Sequence, residues 1–330
     1  MKKKDIINII ILIAVIAFGL YRYFYRVRNF TETRFLLDTI ITINIETRDI
    51  NGADYLEGAF KLIENLEDKL SFYKEGSTIW NFNEGLKPEL KLNPDLKKII
   101  DLSSKIYKET SGKYDVSIGR LSELWNYDKK WIPSEDSIKT ALNFVGFDKL
   151  QIAENKLIKP NGFKLNLGSL AKGFIIDKTF QFLNSKGITN GFINAGGDIR
   201  IFGQNKPLNI GIQHPRDDRN KVIGVLKIKD KSIVTSGDYE RFFMKDGIRY
   251  HHILDPDTGY PSRNATSVTI IANKAMTADA YSTALFLMQP ENAMQLVNSL
   301  PGIEASILVE NAGKIEIYES NGLDEYKSRE

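Results

Sequence analysis

Four stretches of this chain hold the residue types that carry chemistry. In residues 164–177 a strand-like run meets a helix across Gly168, with Ser169 and Lys172 in the first turns. Free N–H groups at such a helix start can hold phosphate oxygens, and Lys172 could add positive charge. The pattern is equally that of an ordinary strand–helix connection with a surface lysine, and it lacks the GxxxxGK[ST] of a Walker loop. In Asn194-Ala195-Gly196-Gly197-Asp198 the paired glycines let a backbone approach a ligand closely or simply turn. Residues 251–261 begin with His251 and His252, two of only three histidines. Successive strand residues face opposite ways, so the pair cannot easily share a metal; one is structural and the other faces a cleft. His214, before Pro215, has a weaker claim. In residues 277–284, Asp279 and Thr283 share one helix face at i, i+4. Their carboxylate and hydroxyl are hard oxygen donors suited to Mg²⁺ with several waters. Helix-dipole stabilisation of Asp279 and a bond from Thr283 to its own helix backbone account for the same spacing. Tyr114, Asp115 and the segment around Tyr73 fit turns or core positions as readily as a site.

The elements that must position these residues are mixed. Residues 35–45 read as one strand, and 53–70, 94–110 and 134–144 as helices, from apolar spacing such as Leu56, Phe60, Ile63 and Leu70. Strands are expected at 156–158 and 163–167 across Pro160-Asn161-Gly162, then a helix from about Ser169 to Gly187. Further strands fall at 192–194, 199–202, 208–213, 222–229 and 232–236. Asp246-Gly247 turns a hairpin between 240–244 and 249–254. A strand at 266–272, helices at 275–288 and 291–300, and a hairpin of 305–309 with 314–318 complete the chain. Strands and helices do not alternate regularly, which predicts an α+β fold. No domain linker is evident.

Composition narrows the function classes. The chain has no cysteine, which excludes disulfides, thiolate metal sites, cysteine nucleophiles and Fe–S clusters. Six basic residues against Asp5 give the first 29 residues +5, so a chain of +3 leaves −2 for the rest. A nucleic-acid binder would carry its basic face on the folded domain. In the N-terminal stretch Lys2, Lys3 and Lys4 precede an apolar run over 6–20, followed by Tyr21, Tyr23, Phe24 and Tyr25 among arginines. Fifteen apolar residues cover about 22 Å as a helix, short of a bilayer core of about 30 Å. Interfacial tyrosines and snorkelling arginines make up the difference. A cleaved signal peptide needs small residues where this chain has bulky aromatics. The expectation is an uncleaved transmembrane anchor over 1–29 and a catalytic domain over 30–330, outside the membrane.

Taken together and in order, these stretches resemble the ApbE family of FAD:protein FMN transferases. The matching pieces are Leu37-Asp38-Thr39 and residues 70–83, 113–125, 164–203, 235–261 and 277–288. The resemblance implies a T-fold-like architecture with FAD bound between two parts, Mg²⁺, and attack by a Thr or Ser hydroxyl of a target flavoprotein on the FAD pyrophosphate. FMN becomes ester-linked to the target and AMP leaves. It further implies that Asp279 and Thr283 bind the metal, with Ser169 through its backbone carbonyl. His252 would be the general base, and Leu37, Tyr73, Lys113, Tyr114, Asp115, Asn166, Lys172 and Leu254 would line the flavin or adenine site. Membrane flavoproteins are the acceptors it implies. Two positions depart from the family pattern: Asn166 stands where Asp is usual, and Asp38 replaces a usual Gly. Some relatives hydrolyse FAD to FMN and AMP, and a flavin-binding protein without turnover is the alternative from another class.

Overall fold

The computed structural model describes residues 3–87, 89–203, 207–217 and 221–327. Met1 and Lys2 of the basic leader lie outside them, as do the last three residues of the expected domain. In chain order, α1 (Lys3–Tyr25) leads into β1 (Arg28–Leu36) and β2 (Thr39–Thr47). Then come α2 (Gly52–Leu70), α3 (Thr78–Asn83), β3 (Glu89–Lys91), α4 (Pro94–Glu109), α5 (Gly119–Leu124) and α6 (Glu135–Leu142). β4 (Gln151–Ala153), β5 (Lys156–Ile158), α7 (Gly168–Ser185), β6 (Asn190–Ala195) and β7 (Asp198–Phe202) follow. Next are β8 (Leu208–Gln213), β9 (Val222–Ile228), β10 (Ser232–Gly237), β11 (Phe242–Lys245) and β12 (Ile248–His251). β13 (Ser267–Ala272), α8 (Ala275–Phe286), α9 (Pro290–Ser299), β14 (Glu304–Asn311) and β15 (Lys314–Glu319) end the series.

Eight strands form one sheet in the order β1-β2-β6-β7-β10-β13-β14-β15, every pairing antiparallel. The α+β expectation holds. Alternation in β2 sends Ile41, Ile43 and Ile45 into the core, each worth about 1.5–3 kcal/mol of burial. Helices α2, α7, α8 and α9 pack on the sheet and one another. The β8–β9 hairpin forms a separate cluster with Ile201, Ile233 and Ile271. Central strand β13 is buried along its whole length because both its faces are covered. A smaller cluster gathers Leu121, Trp125, Tyr127, Ile138, Phe243 and Leu254 beside the main core.

Two expectations change. Residues 35–45 are not one strand: Leu37 and Asp38 take left-handed φ values of 55° and 56° and turn β1 back onto β2. Two such residues in succession make a hairpin turn whose twist suits the strands. Residues 163–167 are not a strand but an extended segment with one isolated bridge, Ile118 to Lys164. The Leu165 N–H and carbonyl both bond the Asn83 side chain, at 2.8 Å each.

Candidate active site

The last residues before α7 are caught by side chains. Asn166 Oδ1 accepts the Gly168 N–H at 2.9 Å, and its Nδ2 donates to Ser122 Oγ at 3.0 Å. An aspartate could make the first bond, but only the amide supplies the second donor. Ser169 Oγ donates to the buried Tyr114 hydroxyl at 2.9 Å. Asp115 is a turn-holder: its two oxygens accept the Ser117 and Phe147 N–H groups at 2.7 and 3.0 Å. Lys113 Nζ lies 3.1 Å from Asp255 and 2.7 Å from Asp257, tying the loop after α4 to the one after β12.

Helices α7 and α8 meet at van der Waals limits. A Cβ on Gly173 would stand 2.4 Å from the Ala275 carbonyl oxygen, so only glycine permits the approach. Across this contact Gly173 N–H donates to Asp279 Oδ2 at 2.8 Å, and Asp177 accepts from Ala275 and Met276 N–H at 2.8 and 3.1 Å. α8 is buried on nearly every side, with Ala278, Ala280, Ala284 and Phe286 fully enclosed. Asp279 is the carboxylate placed inside it. Burial, and then the charge of Asp198, push its pKa up to about 7. Lys172 Nζ stands 2.8 Å from Asp198 Oδ2 as an ion pair without hydrogen-bond directionality. Burial opposes the Lys172 charge, but Asp198 and Asp279 together outweigh it and hold the ammonium above the ordinary lysine range.

These residues fit a divalent cation of the magnesium type. Thr283 lies one turn beyond Asp279, with Ser236 Oγ 3.3 Å from its hydroxyl. Among the described residues no three His, Asp or Glu side chains gather into a metal cage. That suits an ion held by a carboxylate, neutral oxygens and water rather than an all-protein shell. The raised pKa of Asp279 marks where added positive charge would be most stabilising.

The two histidines separate. His251 is sealed, its Nε2 2.8 Å from the Ser262 carbonyl and its ring edge-on to Phe286. His252 is exposed to the cleft, with Nδ1 3.4 Å from the Arg241 carbonyl. Surrounding protein, then the His251 ring, hold its pKa below the usual histidine range. His214 is a turn residue, its Nδ1 accepting the Arg216 and Asp217 N–H groups at 3.3 and 3.1 Å.

One cleft gathers these segments. Of the twelve residues expected in the site, eleven line it: Tyr73, Lys113, Tyr114, Asp115, Asn166, Ser169, Lys172, His252, Leu254, Asp279 and Thr283. Leu37 does not; it packs on the main core at the β1–β2 turn, with Glu67 taking its N–H. Its wall draws on both the main core, through Tyr114, and the smaller cluster, through Tyr127 and Leu254.

A profile of the ApbE family matches residues 37–307. The chain belongs to the ApbE family. The FAD:protein FMN transferase of Treponema pallidum is 30% identical over 308 residues, covering 85% of this chain and 84% of that one. That of Vibrio cholerae is 32% identical over 254 residues, 73% and 76%. Among solved structures, the ApbE protein of Thermotoga maritima superposes with TM-score 0.83 at 34% identity, over 92% of this chain and 100% of that one.

Within this ApbE fold, sequence reasoning did not single out Arg241, Tyr127 or Ser122. Arg241 stands 5.8 Å from the Tyr73 ring centre and 5.4 Å from that of Tyr127. Its position inside the matching segment 235–261 was the only signal available.

Proposed function

We propose that this ApbE-family enzyme transfers the FMN half of FAD to a Thr or Ser hydroxyl of a membrane flavoprotein, as a catalytic domain over 30–330 anchored by residues 1–29 and lying outside the membrane. The observation that carries the reading is the meeting of Asp279, Lys172 and His252, from three distant segments, on one cleft. His252 suits general-base work because its lowered pKa keeps it neutral at pH 7. With Nδ1–H directed at the Arg241 carbonyl, the lone pair stands on Nε2. Nε2 takes the acceptor's hydroxyl proton as that oxygen attacks the phosphorus of the FMN half. The bond from this phosphorus to the bridging oxygen breaks, and AMP leaves with that oxygen. Asp279, Thr283 and the Ser169 carbonyl would hold Mg²⁺, which offsets negative charge on the phosphate oxygens. Tyr73, Lys113, Tyr114, Asp115, Asn166 and Leu254 bind and orient the dinucleotide, and Lys172 keeps positive charge at the floor. The absence of cysteine suits an oxidising compartment.

Solvent access to His252 favours one second reading, hydrolysis of FAD to FMN and AMP. The enzyme is incubated with FAD and Mg²⁺, with and without an acceptor, and the products are weighed. Flavin bound covalently to the acceptor supports transfer; FMN and AMP formed without it support hydrolysis. FAD returned unchanged in both leaves neither. Asp279→Ala should lose at least a hundredfold in Mg²⁺-dependent turnover, and full activity in that variant would remove the metal assignment.

A further inference from the structure

The proposed reaction gives no part to Asp198, which closes the paired-glycine turn between β6 and β7. Gly196 and Gly197 hold left-handed φ values of 63° and 100°, and Asn194 Oδ1 accepts the Gly197 N–H at 2.9 Å. A Cβ on Gly196 would strike the Thr39 side chain, so the turn takes only glycine there. The two-residue turn pairs Ala195 with Asp198. Cross-strand partners share a face of the sheet, and Ala195 belongs to the main core, on which α7 packs. Asp198 is thereby fixed in the cleft wall with 3% of its side chain exposed, whereas Lys172 keeps 32%. Lys172 Nζ is 2.8 Å from Asp198 Oδ2, a buried oxygen with no hydrogen-bond partner among the described residues. Burial raises the pKa of Asp198, and Lys172 is the main influence against it. One residue beyond Lys172, the Gly173 N–H holds Asp279 Oδ2 at 2.8 Å. The root of the lysine side chain therefore adjoins Asp279. After Asp198, Asp279 is the carboxylate that Lys172 feels most, with Glu240 a weaker third.

We propose that Asp198 is a positioning residue that keeps the Lys172 ammonium off Asp279, so that this carboxylate stays open to the metal ion. The inference rests on the reading of Asp279 as a Mg²⁺ ligand. A lysine carries its charge on a flexible four-carbon stem, and α7 roots that stem beside Asp279. An ammonium settled on Asp279 would occupy the oxygens a cation needs and repel the cation as well. The aspartate is held by a turn on a rigid sheet, so it fixes where the flexible partner rests. The positive charge then stays on the cleft wall, available to phosphate oxygens, without competing for the metal's carboxylate. A pair that served only to fill the wall would behave differently, because deleting the lysine could not repair the loss of the aspartate.

The test is the Mg²⁺ affinity of the full chain in detergent without FAD, read from the rise of melting temperature with Mg²⁺ concentration. It is made at pH 8.5, where Asp279 is ionised with or without the charge of Asp198. Asp198→Asn keeps the side-chain shape and removes the charge; it should raise the Kd for Mg²⁺ at least fivefold. Adding Lys172→Met should recover most of that loss. Lys172→Met alone should bind Mg²⁺ at least as tightly as the wild type, which decides the matter even where Asp198→Asn does not fold. A smaller rise in Asp198→Asn overturns the proposal, as does a double variant closer to that single variant than to the wild type. Weaker binding by Lys172→Met overturns it too. The wild type is read first: a wild type that Mg²⁺ does not stabilise removes the metal assignment, and the role of Asp198 with it. A wild type that binds Mg²⁺ beside an unaffected Asp198→Asn removes the positioning role alone.

Discussion

His251 ends β12 and His252 directly follows it, and the two stand under opposite constraints. The buried ring of His251 donates from Nε2 to the Ser262 carbonyl and accepts the Ile253 N–H at Nδ1, 3.3 Å away, so both nitrogens are used by the neutral form. Burial is the main cause that brings its pKa down to about 4, with Arg263 and Arg249 adding to it against the Ser262 bond. The folded value therefore lies below the unfolded one. As pH falls below the unfolded value the unfolded chain takes the proton first, and stability is lost until pH reaches the folded pKa. Between pH 6.5 and 5 this amounts to about 2 kcal/mol. Buried carboxylates such as Asp115 and Asp177, whose pKa values burial raises, titrate in the opposite sense. Comparison with His251→Gln, which keeps one donor and one acceptor, isolates the histidine. Urea midpoints at pH 7 and pH 5 should show a smaller acid loss in the variant by about that amount. Equal losses in both proteins would mean that His251 is not held neutral.

At the scale of elements, the pairing of α7 with α8 sets the site. Its bonds run both ways, from Gly173 N–H to Asp279 and from the α8 start to Asp177. Gly173→Ala gains about 1 kcal/mol of helix propensity but forces a methyl against backbone rather than a yielding side chain. Overpacking of this kind costs about 1–3 kcal/mol or more. The variant should melt lower and bind Mg²⁺ more weakly, because separating the helices moves the donor that orients Asp279. A variant with unchanged melting and metal affinity would show that the two helices can part freely. The sequence carried the long elements well: the apolar spacing in 53–70 and the helix start at Gly168 were legible because each repeats or punctuates a pattern. The six-residue α3 and α5 were not, since fewer than two turns show no period. Leu37-Asp38 hid a hairpin because neither residue announces a left-handed turn. In the site, Asp279 and Thr283 stood out by helical spacing, whereas Arg241 and Tyr127 meet only through tertiary packing, which no local pattern encodes.

For the whole molecule, the question is what α1 does with its surface. Its 23 residues span about 34 Å, so the helix is longer than the apolar run alone and matches a bilayer core of about 30 Å. The 18-residue window has mean hydropathy 2.2, and none of it is buried by the rest of the chain. No face of the folded domain covers it, so water or lipid must. Only Arg26 and Val27 separate it from β1, and Arg28 bonds the Tyr23 and Arg48 carbonyls at 2.8 and 2.7 Å, which ties the helix end to the sheet edge. Under the proposed anchoring, a domain held this closely would work on partners near the membrane surface. The full chain should therefore sediment with membranes, resist extraction by high salt and carbonate, and dissolve in detergent with an intact mass that still includes the first 27 residues. A chain starting at Arg28 should be soluble and keep its affinity for FAD, because the eleven cleft residues all lie beyond that point. Release of the full chain by salt alone would contradict a spanning helix. Loss of those residues from the mature mass would instead identify α1 as a cleaved signal.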